Sequence, residues 1–108
     1  YEKSLGLQPD NPDIYYNLGN ALRELVQLDS AIQAYQTSLR LEPDRAEVYN
    51  NLGLCFHEQN RWGQATSHFE RALALAPDHL EAHINYGILL FEQNRLPEAT
   101  DHFEQAIA

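Results

Sequence analysis

The sequence predicts an all-α protein in which helix pairs stack into a solenoid, and three observations carry that prediction. First, residues of the same type return every 34 positions without a slip in register, which is typical of stacked helical repeats. Second, apolar residues within each repeat recur at the spacing of one helix face. Third, a proline interrupts the pattern once per repeat. The recurring positions are Gly19, Gly53 and Gly87; Asn17, Asn51 and Asn85; Ala31, Ala65 and Ala99; and Pro9, Pro43 and Pro77.

The register divides the 108 residues into four segments. Residues 1–11 match the C-terminal part of a preceding repeat. Residues 12–45 and 46–79 are two whole repeats, and residues 80–108 are a third that lacks its last positions. Because the sequence has no initial Met and begins inside a helix pattern, we expect it to be a piece of a longer array.

The first helix of the first repeat has clear start signals. Asn11 is a favourable N-cap, and Pro12 suits the first helical position, where its missing N–H has no partner to lose. We expect this helix to run to about Leu25. Its predicted buried face consists of Ile14, Tyr15, Leu18, Gly19 and Leu22.

The exit from this helix differs from the other two. The equivalent exits use Asn60 and Asn94, which tolerate the left-handed conformation common after a helix end. Val26 stands at this position in the first repeat, and a β-branched residue is poorly suited to positive φ. We therefore expect either local strain or a different turn at Val26.

The second helix is predicted from about Asp29 to Leu41, because Pro43 prevents its continuation. The next two repeats start with capping-box spacings, Asp44 with Glu47 and Asp78 with Glu81. Close approach of paired helices needs small side chains at the crossing. The residues predicted to meet this need in the second repeat are Gly53 and Ala65, with Phe69 filling the remaining space and Ala72 admitting the next helix.

Composition disfavours several classes of function. The 16 acidic and 7 basic side chains give a net charge of −9, whereas nucleic acids and anionic membranes require basic surfaces. Cys55 is the only cysteine, so no internal disulfide can form. Its position favours a small buried hydrophobic residue over a nucleophile. Reduced cysteine fits a cytoplasmic location.

No sequence motif predicts catalysis. The chain has no Gly-rich phosphate loop, nucleophile motif or paired acid-base carboxylates, so we expect neither an enzyme nor a cofactor. Histidines recur at His68 and His102 and lie close in sequence at His79 and His83. These spacings are poor for one zinc ion, and we expect surface histidines and no metal.

The recurring residues resemble the tetratricopeptide repeat. The family pattern of aromatic, Leu-Gly, aromatic, Ala, aromatic, Ala and Pro is matched in the second repeat by Tyr49, Leu52, Gly53, Phe56, Ala65, Phe69, Ala72 and Pro77. The third repeat departs from it at His83 and Tyr86. The resemblance implies an α-α superhelix, that is, a right-handed solenoid of antiparallel helix pairs. It also implies that the first helix of each repeat lines a concave groove that binds peptides or partner proteins.

By analogy with the family, Asn17, Asn51 and Asn85 face this groove as a ladder. An amide is both donor and acceptor, so a ladder can hold both backbone groups of an extended peptide, and the arrangement resembles the asparagine ladders of other proteins of that family. The alternative is that these asparagines only form local bonds. The remaining predicted peptide-binding residues are Tyr16, Asn20, Leu54, Glu58, Ile88, Phe91 and Glu92.

The predicted groove has an acidic and an apolar character. Two acidic rows line it, Asp13, Glu47 and Glu81 on one side and Glu24, Glu58 and Glu92 on the other. An apolar cluster consists of Leu54, Ile84, Ile88 and Phe91, and an apolar patch on a concave surface suggests a partner. The alternative is that the cluster packs against a continuation of the array.

The sequence therefore predicts a protein-interaction scaffold whose partner segment is apolar with basic residues. An acidic C-terminal tail is not expected, because Tyr16, Glu81 and Asn85 stand where the family's carboxylate clamp has basic residues, although Asn20 and Asn51 fit. Two alternatives remain: a structural or self-assembly module, and a substrate-selecting accessory region of a larger enzyme such as a glycosyltransferase. We also expect end-to-end association through the two terminal faces, formed by Phe103, Ala106 and Ile107 at one end and Tyr1 and Leu5 at the other.

Overall fold

The computed structural model describes residues 11–107, so the expectation for the first ten residues, including Tyr1 and Leu5, falls outside the described range. This range folds into six helices without a strand. They are α1 Pro12–Glu24, α2 Leu28–Leu41, α3 Ala46–Glu58, α4 Trp62–Leu75, α5 Leu80–Glu92 and α6 Leu96–Ile107. The predicted all-α class and the arrangement in helix pairs are confirmed.

The chain forms two compact units, Tyr1–Asp44 and Arg45–Ala108. In the described part of the first unit, α1 packs along α2. In the second unit, α3 pairs with α4 and α5 pairs with α6, while α5 also packs against α4 and α3. The second unit therefore brings two first helices, α3 and α5, side by side.

Each helix pair is closed by a contact between a glycine and an aromatic ring. A Cβ atom placed on Gly53 would lie 2.6 Å from Cε1 of Phe69, far inside van der Waals contact. The two equivalent contacts join Gly19 with Tyr35 and Gly87 with Phe103, at 2.6 and 2.7 Å. The predicted crossing is confirmed, because the ring occupies the space that any larger residue would need.

A second set of small residues joins the two pairs of the second unit. Ala46 of α3, Ala72 of α4 and Ala82 of α5 form one buried cluster. Their methyl groups let the three helix backbones approach closely. The prediction that Ala72 admits the next helix is confirmed.

The helix starts follow the sequence signals only in part. The Asn11 side chain caps α1 by accepting a hydrogen bond from the Asp13 N–H at 2.8 Å. The predicted caps at Asp44 and Asp78 are wrong, because the N-cap residues of α3 and α5 are Arg45 and His79. The helices begin one residue later than the capping-box spacing requires, so the reciprocal bonds cannot form.

The side chains near these starts bond differently as a result. Glu47 of α3 accepts from the Arg45 guanidinium at 2.9 Å. At the start of α5, the His79 Nδ1 accepts from the Ala82 N–H at 3.1 Å. An imidazole nitrogen accepts a hydrogen bond only when it carries no proton, so this cap requires an unprotonated Nδ1 in His79.

The three turns within the helix pairs share one geometry. Val26, Asn60 and Asn94 have φ angles of 60, 62 and 64°. In the first turn, the Gln27 N–H donates to the Leu22 carbonyl at 2.9 Å and the Val26 N–H to the Arg23 carbonyl at 2.9 Å. This is the Schellman pattern. Of the two expectations for Val26, local strain is confirmed and a different turn is not found.

We predict that Val26→Asn stabilises the protein by about 1 kcal/mol, the scale of the left-handed penalty for an L-residue. Val26 is 71% exposed, so the substitution loses little apolar contact. The reverse change, Asn60→Val, is the matched control and should destabilise the second unit. Denaturant unfolding checks both, and a loss of stability in Val26→Asn would contradict the assigned strain.

We predict that Gly53→Ala lowers the free energy of unfolding by roughly 1–3 kcal/mol through overpacking against Phe69, and that Gly53→Leu lowers it further. Gly63 near the start of α4 is the matched control, since a Cβ there would meet nothing within 4 Å. Gly63→Ala should stabilise by about 0.4–1 kcal/mol. Equal stability of the two alanine variants in thermal melts would show that the helix crossing is wrongly placed.

Candidate functional site

The second unit exposes a line of apolar side chains on α5. Ile84, Ile88 and Phe91 are 37, 40 and 60% exposed. They are four and three residues apart, so they lie above one another on a single helix face. We call these three residues the apolar stripe. Leu54, at the position of α3 equivalent to Ile88, is half-buried.

Carboxylates accompany the stripe, and some of them are already paired. The His57 Nε2 atom of α3 lies 2.6 Å from Oε1 of Glu92 on α5. Glu92, predicted to bind a cation of the partner, thus bonds to a side chain of its own unit. Glu58 and Glu81 are exposed. The second unit therefore exposes apolar side chains on α5 and carboxylates on both α3 and α5.

Three asparagines of the second unit form a hydrogen-bonded chain. The Asn85 amide donates to Oδ1 of Asn50 at 3.0 Å, and the Asn50 amide donates to Oδ1 of Asn51 at 3.2 Å. Asn50 and Asn51 are only 1 and 8% exposed. The expectation that Asn51 is an exposed amide facing the groove is wrong.

The physical reason is the close approach of α3 and α5. The Asn50 side chain fills the space between these helices, and a buried amide needs polar partners. Asn51 supplies one of them, so Asn51→Ala removes the acceptor of a buried donor and is not an ordinary surface change. Asn85 is half-buried. Peptide contact by Asn51 and Asn85 stays a prediction.

The predicted site residues of the first unit lie on α1. Asn17 is exposed and Tyr16 is half-buried. Oδ1 of Asn20 accepts a hydrogen bond from the Tyr35 hydroxyl at 2.5 Å, and the Tyr35 ring also packs on Gly19. Asn20 therefore supports the aromatic ring that closes this helix pair, whatever its role toward a partner.

Sequence reasoning missed a polar cluster centred on His83. This residue is buried, so the expectation of a surface histidine is wrong for it. Its Nε2 atom lies 2.7 Å from the Pro77 carbonyl, which can only accept. Nε2 therefore carries the proton, and in the neutral ring Nδ1 accepts from Nδ1 of His102 at 3.0 Å.

Tyr86 extends this cluster to α4. Its ring lies 4.6 Å from that of His102, and its hydroxyl donates to Oε2 of Glu70 at 2.7 Å. Burial and this hydrogen bond to Glu70 raise the pKa of Tyr86 to about 12. The cluster ties α4, α5 and α6 together. The signal was present in the sequence, because His83 and Tyr86 both depart from the repeat pattern.

The described residues give little support for a reactive cysteine, a metal site or a membrane-spanning helix. Cys55 is fully buried, as expected of a small hydrophobic residue. No group of three or more potential metal ligands occurs in residues 11–107. The same range includes no helix with the length and apolar character to cross a membrane.

Comparison with known proteins identifies the repeat. A sequence model described as tetratricopeptide repeat matches residues 10–78 and 44–108. No curated protein matches the sequence. Among solved structures, the crystal structure of MamA superposes with a TM-score of 0.88 at 24% identity. The superposition covers 98% of this chain but only 62% of MamA, so this chain spans less than two thirds of that protein.

Two further structures share the fold. The first TPR of Spaghetti (RPAP3), bound to the HSP90 peptide SRMEEVD, has a TM-score of 0.86 at 20% identity over 92% of this chain and 79% of that one. The Arabidopsis OM64 TPR domain has a TM-score of 0.85 at 23% identity over 89 and 79% of the two chains. At these identities the likeness establishes the fold alone.

We predict that acid destabilises the second unit through His102. Burial, and then repulsion by His83, lower the pKa of His102, while Asp101 and Glu70 oppose this more weakly. The unfolded chain therefore binds this proton more tightly than the folded one. The contribution of neutral His102 to the free energy of unfolding is complete above about pH 6.5, where an unfolded histidine is neutral. It is lost as the pH falls toward the lower pKa of the folded state.

The measurement is denaturant unfolding between neutral and mildly acidic pH. His102→Gln should show a shallower loss of stability than the wild type. His68→Gln, at the equivalent position of α4, is the matched control and should leave the loss in place. Parallel curves for the wild type and His102→Gln would contradict the prediction.

Proposed function

The chain belongs to the tetratricopeptide repeat family, and on that premise we propose that it binds a segment of a partner protein on the surface formed by α3 and α5. A role as a protein-interaction scaffold is supported by the shared fold of the Spaghetti TPR, which is bound to a peptide. The proposal for this chain rests on its own side chains, because the fold does not specify the partner.

The apolar stripe is the observation that carries the proposal. Its three side chains stay exposed on α5, while Leu89 and Leu90 of the same helix are buried. Removing this apolar surface from water would stabilise a complex by about 25 cal/mol for each Å² buried. Phe91 is the most exposed of the three, and large aromatic side chains are the usual anchors of an interface.

The charges beside the stripe define the partner further. Glu58 and Glu81 are exposed, and the chain carries a net charge of −9. A partner segment with Lys or Arg next to its apolar residues would be attracted, and salt should slow its association. An acidic segment resembling SRMEEVD would be repelled, so we do not propose that ligand class.

The asparagine ladder remains part of the proposal as a set of polar contacts. Asn17 is exposed and Asn85 is half-buried, so both can present amide groups to a partner. Asn51 is mostly buried and bonds to Asn50, and its contribution would be to hold Asn50 and Asn85 in place. The ladder thereby combines support of the surface with contact to the partner.

Self-association is a second proposal for the 108-residue chain. Ile107 at the end of α6 is 84% exposed, and Ile14 and Leu18 of α1 are exposed as well. The residue equivalent to Ile14 in α5 is Ala82, which packs on Ala72 of the preceding helix pair. The α1 face with Ile14 and Leu18 could therefore pack on a helix pair of a second copy.

We propose neither catalysis nor a cofactor, and we propose a cytoplasmic location. An accessory region of a larger enzyme remains the alternative context.

We predict that Phe91→Ala weakens the binding of apolar, Lys-containing peptides selected from a display library by roughly tenfold or more, as expected for a central aromatic anchor. The melting temperature should change little, since the side chain is mainly exposed. Leu25→Ala is the matched control, because Leu25 is 66% exposed in the first unit. Equal affinities of wild type and Phe91→Ala, or a library without binders, would overturn the proposal.

A further inference from the structure

We infer that the partner segment binds as an amphipathic helix lying along α5, with apolar residues at helical spacing on the stripe. This inference rests on the proposed function and adds the conformation and residue pattern of the ligand. It replaces the extended segment that the sequence predicts. Three features of the second unit support it.

The first feature is the shape of the stripe. From Ile84 to Phe91 the rise along α5 is about 10 Å, at ~1.5 Å per residue. Two turns of a partner helix present apolar side chains along the same length at positions i, i+3 or i+4, and i+7. An extended segment covers that length in about three residues and points alternate side chains to opposite sides. A helix therefore covers the stripe with more apolar side chains.

The second feature is the state of the asparagine amides. An extended segment that is buried on binding needs partners for its own N–H and C=O groups. On this surface, Asn50 uses its oxygen for Asn85 and its nitrogen for Asn51. The nitrogen of Asn85 and the oxygen of Asn51 are therefore engaged within the second unit, which leaves fewer amide groups there for an extended backbone. A helix satisfies its backbone internally and requires no such partners.

The third feature is the distribution of charge. His57 holds Glu92 at 2.6 Å, next in sequence to Phe91. Glu58 of α3 and Glu81 of α5 are exposed. Lys or Arg residues flanking the apolar face of a partner helix could approach these carboxylates while its apolar face contacts the stripe. The ligand class is thus a basic amphipathic helix.

The test uses two synthetic peptides of identical composition, rich in Leu and Lys and about 14 residues long, roughly the length at which an isolated helix is marginal in water. In one peptide the leucines follow helical spacing, and in the other they alternate as in a strand. We expect the helical pattern to bind about tenfold or more tightly, with a gain of helical circular dichroism on mixing. A central proline in that peptide should reduce its binding by about tenfold or more.

The protein variants separate the two levels of the proposal. Phe91→Ala should weaken the helical-pattern peptide, and Leu25→Ala should not. If the alternating peptide binds better and still depends on Phe91, the helical conformation is overturned and the proposed function stands. If neither peptide depends on Phe91, the proposed function fails and this inference fails with it.

Discussion

Within each helix pair, the contact between a glycine and an aromatic ring determines how the two helices pack. At Gly53 the backbone of α3 lies so close to Phe69 that no Cβ fits. That closeness fixes how α3 is rotated relative to α4, and therefore which residues of α3 point away from the pair. Because the contact recurs at Gly87 and Phe103, α5 presents the corresponding face. The geometry of the proposed binding surface follows from the packing of the core.

The alanine cluster between the pairs sets the second distance that matters. With Ala46, Ala72 and Ala82 at the junction, α5 packs closely against α3 and α4. One consequence is the buried amide chain centred on Asn50, which keeps polar groups of α3 and α5 satisfied. The other is the stripe, whose apolar side chains extend from the opposite side of α5 to its buried leucines. The packing of α5 against α3 and α4 therefore produces both the close junction between the pairs and the exposure of the apolar stripe.

The 34-residue period predicts much of the fold, because residues that form the same contact in every helix pair recur at the same position in every repeat. The cap at Asn11 and the strain at Val26 depend on local backbone geometry, which residue type reveals. The crossing at Gly53 could be predicted because a glycine recurs at this position in every repeat. The burial of Asn51 could not be predicted, since helical spacing gives a direction around the helix axis but not the distance to the next helix. The bond of His83 to His102 also escaped prediction, because it joins side chains 19 residues apart on two different helices.

Amide chemical shifts would show directly whether a partner binds the surface that α3 and α5 form in the second unit. The experiment is a ¹H–¹⁵N titration of the 108-residue chain with the basic amphipathic peptide. The largest shifts should fall on the amides of Ile84, Ile88 and Phe91, with smaller ones on the facing residues of α3. Shifts concentrated instead on α4 and α6, with those three amides unmoved, would contradict the proposed binding surface.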